Sequence, residues 1–498
     1  MQLRVGMMRA IKGLSGIKRL RVELTCLLLF AALAADAEQV VTQEPPRAVS
    51  ELNSGWNTLV AGMQEARRSL WETAFFPPPA SDRGLAEGHR YLLAHLVRMI
   101  EIEMRADPLF PEFFHTMDML RKWTGENPDA AYLKARIDAT GYYRLTVQAK
   151  DTTEWLTSER HLAGPKAPRL VIFQTITDIL GNSGDLAEMT QCRNQTLDAI
   201  NSLRLQVDAH NSFNILIGPE KPDDYQGNFL YSSKLLPCSA TGAAQVRQAR
   251  WLSVKEIFSD WANERRLAMD IVRLDAEGEN KPPITVQDVN ARMARIGEQL
   301  PNQIRFWSAL QAQTLELYGD FNKDGKRPLP VNSIYQPKPP FTAGGIAAAN
   351  TLYASGKFEL EADQALIIKV TTPMEPYYIG FMLNNFWLEG ADQQNYVSSL
   401  TGSQLPASSD GTRYYVIAHR DPEVDGWIST TGLSSGSHLM RFVFREEVGP
   451  QQLPQLEATV VDINDIGSVL PASTKDVTGD QRRAQISMRQ RHIKWRWL

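Results

Sequence analysis

The sequence predicts an α+β protein: a helical N-terminal region, an antiparallel β-rich middle, a long helical segment, and a C-terminal β-sandwich or jelly-roll-like domain. Three observations carry this. Apolar residues recur at helical spacing between residues 51 and 105 and again from about residue 286. Between and beyond those stretches they alternate with period two, and Gly, Pro, Asp and Ser punctuate the alternating runs as sandwich turns do.

Residues 1–37 hold a basic stretch with Arg4, Arg9, Lys12, Lys18, Arg19 and Arg21, a 12-residue apolar run, and Ala35-Asp36-Ala37 before Glu38. That order predicts a cleaved secretory signal and a periplasmic or secreted product. The run is shorter than the roughly 20 residues a spanning helix needs. Cys26 has no small residue before it, which argues against a lipoprotein. Six basic and two acidic side chains lie in this segment, so its removal takes the formal charge from −4 to −8. A mildly acidic product without a basic face excludes nucleic acid as a partner class. Composition, at 43% hydrophobic and 22% charged, is that of a globular protein.

Residues 38–50 read as a disordered tail and 51–140 as a helical region. Leu52, Trp56, Leu59, Val60, Met63 and Leu70 fall on one helical face. A second helix carries Tyr91, Leu92, His95, Leu96, Met99 and Ile102 and ends before Asp107-Pro108. His95 lies on its apolar side, which predicts a core histidine. In the α+β region, 141–318, Tyr143, Leu145 and Val147 alternate with polar neighbours, as do residues 203–207 and 213–217. A short helix is expected at 251–264, a strand at 268–274, and a long helix over 286–318 broken at Pro301. Pro328, Pro330, Pro337, Pro339 and Pro340 mark 319–342 as an exposed linker. Strands at 365–371, 377–386, 412–419 and 437–445 make 343–447 the sandwich, and no internal repeat stands out at a fixed period. Residues 448–498 form an extension whose basic, Trp-containing end is expected to fray or dock locally rather than to touch lipid.

Cys192 and Cys238 either close a loop of about 47 residues, worth roughly 3 to 4 kcal/mol, or stand as two separate buried thiols. No metal or cofactor motif is present. Asp320-Phe-Asn322-Lys-Asp324-Gly325 resembles a calcium loop, but the twelfth position is Val331, so a surface turn is expected. Gly432-Leu-Ser434-Ser-Gly436 satisfies G-x-S-x-G, yet a strand, not a helix, is predicted after it.

Two loop clusters gather functional side chains. Lys122, Asn127, Asp129, Tyr132 and Arg144 form one; Trp387, Asp410, Asp421 and Trp427 form the other. Aromatic faces beside carboxylates suit a small molecule or saccharide, bound by Asn127, Trp387, Asp410, Asp421 and Trp427. The alternative is a hydrolase or lyase in which Lys122, Asp129, Tyr132, Arg144 and Asp260 converge on one cleft as acids and bases.

The order Glu87-Gly88, Tyr91-Leu92, Lys122, Asn127-Pro128-Asp129, Tyr143-Arg144, Asp260-Trp261, Tyr377-Tyr378, Trp387-Leu-Glu389, Asp410-Gly411 and Asp421-Pro422 to Trp427 resembles the bacterial family called domain of unknown function 1214. The resemblance covers about residues 52–445. It implies a C-terminal sandwich or jelly roll and supplies no reaction. This chain departs from the pattern at Thr401, Glu423, Gly426 and Ser429, which removes a carboxylate and a carboxamide from the second cluster.

Overall fold

Helical periodicity near the N-terminus gives α1 (Arg47–Trp71) and α2 (Asp82–Arg105), the latter capped by the Ser81 hydroxyl, which accepts from the Gly84 amide. The structure is a computed structural model that describes residues 46–71, 81–157, 159, 164–190, 193–194, 196–237, 244–319, 329–339 and 350–497. Residues 1–54 and 55–498 are two units, and every sheet lies within the second. The expected signal segment, Cys192, Cys238 and the calcium-like turn lie outside the described residues. Part of the expected tail is helical, since α1 begins at Arg47.

The middle of the chain is itself a sandwich. One sheet has the order β1-β2-β10-β4-β5, with β1 (Phe114–His115), β2 (Ala130–Arg136), β10 (Trp251–Ile257), β4 (Leu170–Ile176) and β5 (Thr196–Asn201). The facing sheet is β11-β3-β6-β7, with β11 (Ala268–Arg273), β3 (Tyr143–Gln148), β6 (Ser212–Gly218) and β7 (Asn228–Tyr231). Between them, Leu133, Leu145, Phe173, Ile215, Leu252 and Val254 are buried. Each such side chain contributes about 1.5 to 3 kcal/mol on leaving water. A short helix α3 (Thr153–Leu156) and a ribbon, β8 (Ser233–Pro237) with β9 (Ala244–Gln248), decorate this half.

The second sandwich pairs β12-β18-β14-β15 with β17-β16-β13-β19. Its strands are β12 (Thr351–Glu359), β13 (Gln364–Thr371), β14 (Tyr378–Asn384), β15 (Ser399–Thr401), β16 (Thr412–Ala418), β17 (Trp427–Ser429), β18 (Ser435–Val443) and β19 (Gln455–Asp462). Leu366, Ile368, Phe381, Tyr415, Met440 and Phe442 fill its core. Strand for strand the two sandwiches share one topology. Placing β2 to β7 on β12 to β17, β10 on β18 and β11 on β19 reproduces both sheet orders, including the parallel pairs β6 with β7 and β16 with β17. The chain is therefore built as a structural duplication that its sequence does not display at a fixed period.

Between the halves runs α4 (Val286–Gly319), which passes through Pro301 without the expected break. Leu300 and Ile304 on either side are buried against α1 and α2, so tertiary packing holds the turn. Proline leaves the Gly297 carbonyl without its helical partner. That carbonyl lies against Gly62, where a Cβ would sit 1.9 Å from it, so α1 and α4 cross in near backbone contact. The last helix, α5 (Gly479–Arg496), has a capping box at Thr478 and Gln481. It docks through buried Arg489 and Arg496, which donate to the Ser399 and Pro128 carbonyls.

Several expectations change. Residues 251–257 are a central strand, not a helix, because β10 is bonded on both edges and buried on both faces. Residues 203–207 are irregular, and the strand lies just before them. The described part of the linker, 329–339, runs along the second sandwich: the Lys338 and Tyr353 backbones exchange hydrogen bonds. The expected boundaries after 140 and 447 cut through sheets, since β2 pairs with β10 and β13 pairs with β19. His95 is fully buried, as its position on the helix requires.

Candidate functional site

The outer faces of the two equivalent sheets, β1-β2-β10-β4-β5 and β12-β18-β14-β15, meet each other. Ala130, Leu170, Ile257, Tyr377, Tyr378 and Val443 seal the contact. At its centre the Asn127-Pro128-Asp129 turn is built as its residue types predict: the Asp129 amide donates to Asn127 Oδ1 at 3.0 Å. Tyr378 Oη donates to Asp129 Oδ2 at 2.6 Å and accepts from Asn127 Nδ2 at 3.0 Å. Burial pushes the Asp129 carboxyl up and, more strongly, the Tyr378 phenol. Gly380 is obligatory here, because a Cβ would stand 2.3 Å from Tyr378 Oη and 2.6 Å from Asp129 Oδ2.

Beside this contact the sheets part around a cavity of about 370 Å³. Its floor is the outer face of β2 and β10. Alternation puts Tyr132 and Lys134 on that face, and the register sets Ser253 opposite Lys134 and Lys255 opposite Tyr132. Tyr353 and Arg441 from the second sandwich and Trp123 and Trp307 from the helical side complete the walls.

Lys134 Nζ donates to Ser253 Oγ at 3.3 Å. Burial and then the Lys255 charge push the Lys134 ammonium down to about 7. Lys255 is lowered by burial and by Arg441. Neither lysine is ion-paired with a described residue, whereas nearby Asp178 is taken by Arg250 at 3.1 Å. Arg441 Nη2 holds the Gly125 and Glu126 carbonyls at 2.8 and 3.0 Å, which fixes its guanidinium at the rim. Tyr132 Oη accepts the Asn127 amide at 3.0 Å, leaving its own proton to donate, and burial raises that phenol to about 12. Glu126 is turned away from the lysines: Oε2 accepts the Trp123 amide at 2.8 Å, and burial raises the carboxyl to about 7. Two lysines, one guanidinium and four aromatic rings line the cavity, with the Glu126 and Asp178 carboxyls engaged elsewhere, and this set suits an anion with an apolar body.

Of the residues expected from sequence, only Tyr132 lines this cavity, with Asn127 holding its hydroxyl. The proposed cleft of Lys122, Asp129, Tyr132, Arg144 and Asp260 does not assemble. Lys122 is buried and donates to the Gly390 carbonyl and, at 3.2 Å, to Gln393 Oε1. Asp129 is engaged with Tyr378. Arg144 faces solvent on the other sheet, paired with Glu277. Asp260 lines a separate polar cavity of about 430 Å³, where Lys166 is 3.7 Å away. The second cluster is likewise dispersed. Trp387 stacks on Tyr91 at 5.4 Å and donates to the Gly84 carbonyl at 3.0 Å. Trp427 is core, with Arg482 at 4.9 Å over its ring, and Asp421 pairs with the same Arg482 at 2.8 Å. Asp410 closes a turn through Ser408 Oγ and the Thr412 amide. A strand does follow Ser434, as expected. The groove that Ser434 lines, about 450 Å³, gathers no comparable group of unpaired cations among the described residues.

No family model matches the chain, and no curated protein does. A crystal structure of an uncharacterised protein from Burkholderia cenocepacia is similar over 84% of this chain and 99% of that one, at 19% identity and a TM-score of 0.65. It shows the fold alone. A Vibrio parahaemolyticus protein, VPA0106, is 13% identical over 74% of this chain and 98% of its own, and its TM-score of 0.36 carries no argument.

Proposed function

We propose that this protein binds a small organic anion, a carboxylate or phosphate ester with an apolar or aromatic body, in the cavity over β2 and β10. One observation carries the reading: Lys134 and Lys255 lie diagonally on one sheet face that lines the cavity, and neither makes an ion pair with a described residue. Two like charges gathered in a half-buried site repel each other, so the arrangement costs stability unless an anion completes it. The saccharide reading loses its residues, because Trp387 and Trp427 are packed into cores. With an export signal at residues 1–37, the anion would be met outside the cytoplasm. The likeness to domain of unknown function 1214 is part of this proposal and rests on residues alone. No helix among the described residues is long and apolar enough to cross a membrane.

Thermal-shift titration with short-chain carboxylates, aromatic carboxylates and sugar phosphates, against neutral sugars as controls, tests the proposal. A ligand at a hundred times its Kd stabilises by about 2.7 kcal/mol. Anions are expected to raise the melting temperature, and Lys134→Met with Lys255→Met to abolish the response. A response to neutral sugars alone, or one unchanged in the double variant, overturns it.

A further inference from the structure

We propose that Lys134 forms a reversible imine with a small 2-oxo carboxylate held in this cavity, a step that rests on the anion-site reading above. An amine attacks a carbonyl only as the free base, and a lysine beside another cation in a desolvated pocket reaches that state near neutral pH. Lys134 is half-buried beside such a cation: it projects from the middle of β2, between the core residues Leu133 and Ala135, with Lys255 diagonal to it on β10. Its position is fixed from both sides, by the strand and by Ser253 Oγ at 3.3 Å.

The remaining groups match the rest of such a ligand. Lys255 supplies the charge for the carboxylate, two residue pairs along the ladder from the attacking amine and on the same face. Tyr132, whose oxygen is occupied by the Asn127 amide, keeps its proton to give to the carbonyl oxygen. In the step, the Lys134 nitrogen lone pair forms a C–N bond while the carbonyl π electrons move to oxygen. Ser253 relays one ammonium proton to the oxygen, which with the Tyr132 proton leaves as water; the nitrogen becomes an iminium, and the Tyr132 phenolate regains its proton from solvent. Amine, ketone and one proton become iminium and water, with no change of oxidation state. Acylation of Ser253 is the poorer use of the same pair. β10 is bonded to β2 on one edge and β4 on the other, so the strand has no free amide to hold an oxyanion.

The test incubates the intact protein with pyruvate at pH 7, adds borohydride to reduce any imine, and maps the modified lysine by mass spectrometry. Propionate, which has the carboxylate and no carbonyl, runs in parallel as a thermal-shift ligand. The proposal expects one reduced pyruvyl group on Lys134, about tenfold or more above the label on exposed Lys221, as the larger neutral fraction of a depressed amine requires. It also expects loss of that label in Lys134→Met. A propionate shift without a pyruvate adduct overturns the imine and leaves the anion site standing. Neither shift nor adduct overturns both. An adduct on Lys255, or labelling equal to that of Lys221, overturns the assignment to Lys134 without requiring any variant to fold.

Discussion

Replacing Tyr378 by phenylalanine removes one hydroxyl from the seam between the sandwiches and leaves the ring in place. The hydroxyl serves a fully buried carboxyl, Asp129, at 2.6 Å and accepts from Asn127 Nδ2 at 3.0 Å. Asp129 Oδ1 has no hydrogen-bond partner among the described residues, so beyond the charges of Arg496, Arg489 and Arg441 the carboxyl relies on the Tyr378 hydroxyl. A hydrogen bond to a charged group is worth about 1.5 to 3 kcal/mol, and an orphaned amide donor adds about 1 kcal/mol, so Tyr378→Phe should cost about 3 kcal/mol. The pH dependence has a definite sign. Burial raises the Asp129 carboxyl, so the folded state holds this proton more tightly than the unfolded chain does. Its stabilisation is complete below the ordinary carboxylate range and is lost as pH rises through the folded value. Losing the Tyr378 donor pushes the carboxyl higher still. The cost should therefore be larger on the high-pH side of the folded value than on the low-pH side, compared at about pH 8 and about pH 5. Denaturant midpoints of wild type, Tyr378→Phe, Asp129→Asn and the double variant measure it. A loss under about 1 kcal/mol, or one equal at both pH values, would refute the account.

Trp387→Ala should cost about 3 to 5 kcal/mol by leaving a cavity between Tyr91 and the helical layer; calorimetry reads it, and a near-neutral result would reopen a binding role for this ring. Arg144→Ala should change stability by less than about 0.5 kcal/mol and leave anion binding intact, since its pair with Glu277 is exposed; titration of both variant and wild type checks this. His438 is fully buried near Phe381, and burial lowers its ring to about 4. Its contribution is present above the unfolded value and lost as pH falls toward 4. His438→Leu should therefore gain on wild type by up to about 1.4 kcal/mol per pH unit below pH 6.5, measured as paired unfolding curves.

Periodicity and turn residues are enough for both N-terminal helices, for β3, β6 and β11, and for four of the eight strands of the second sandwich, β13, β14, β16 and β18. The helices, β3 and β6 are amphipathic, with burial repeating at 3.6 or 2 residues, whereas β14 and β16 are buried almost throughout and are marked by the turn residues around them. β10 escapes it because Trp-Leu-Ser-Val-Lys-Glu-Ile is buried on both faces and carries no clean alternation. The tryptophans and the Asn-Pro-Asp and Asp-Gly turns are legible as structure, and in the fold that is what they are. The site is not. Lys134, Ser253 and Lys255 look like an ordinary solvated strand face, and the signal available is only that they alternate with apolar residues.

What the sequence by itself determined is which side chains share a face, since that depends on local backbone geometry. Only the tertiary structure decided what lies across from each face. Docking the second sandwich and α4 over β2 and β10 turned a polar strand surface into a covered cavity with two lysines that no described acid pairs. The contacts responsible join residues far apart in the chain, such as Tyr132 on β2 and Arg441 on β18, where local pattern carries no information. The duplication was hidden for the same reason: two sandwiches can share strand order while their sequences need to keep only an alternating apolar pattern.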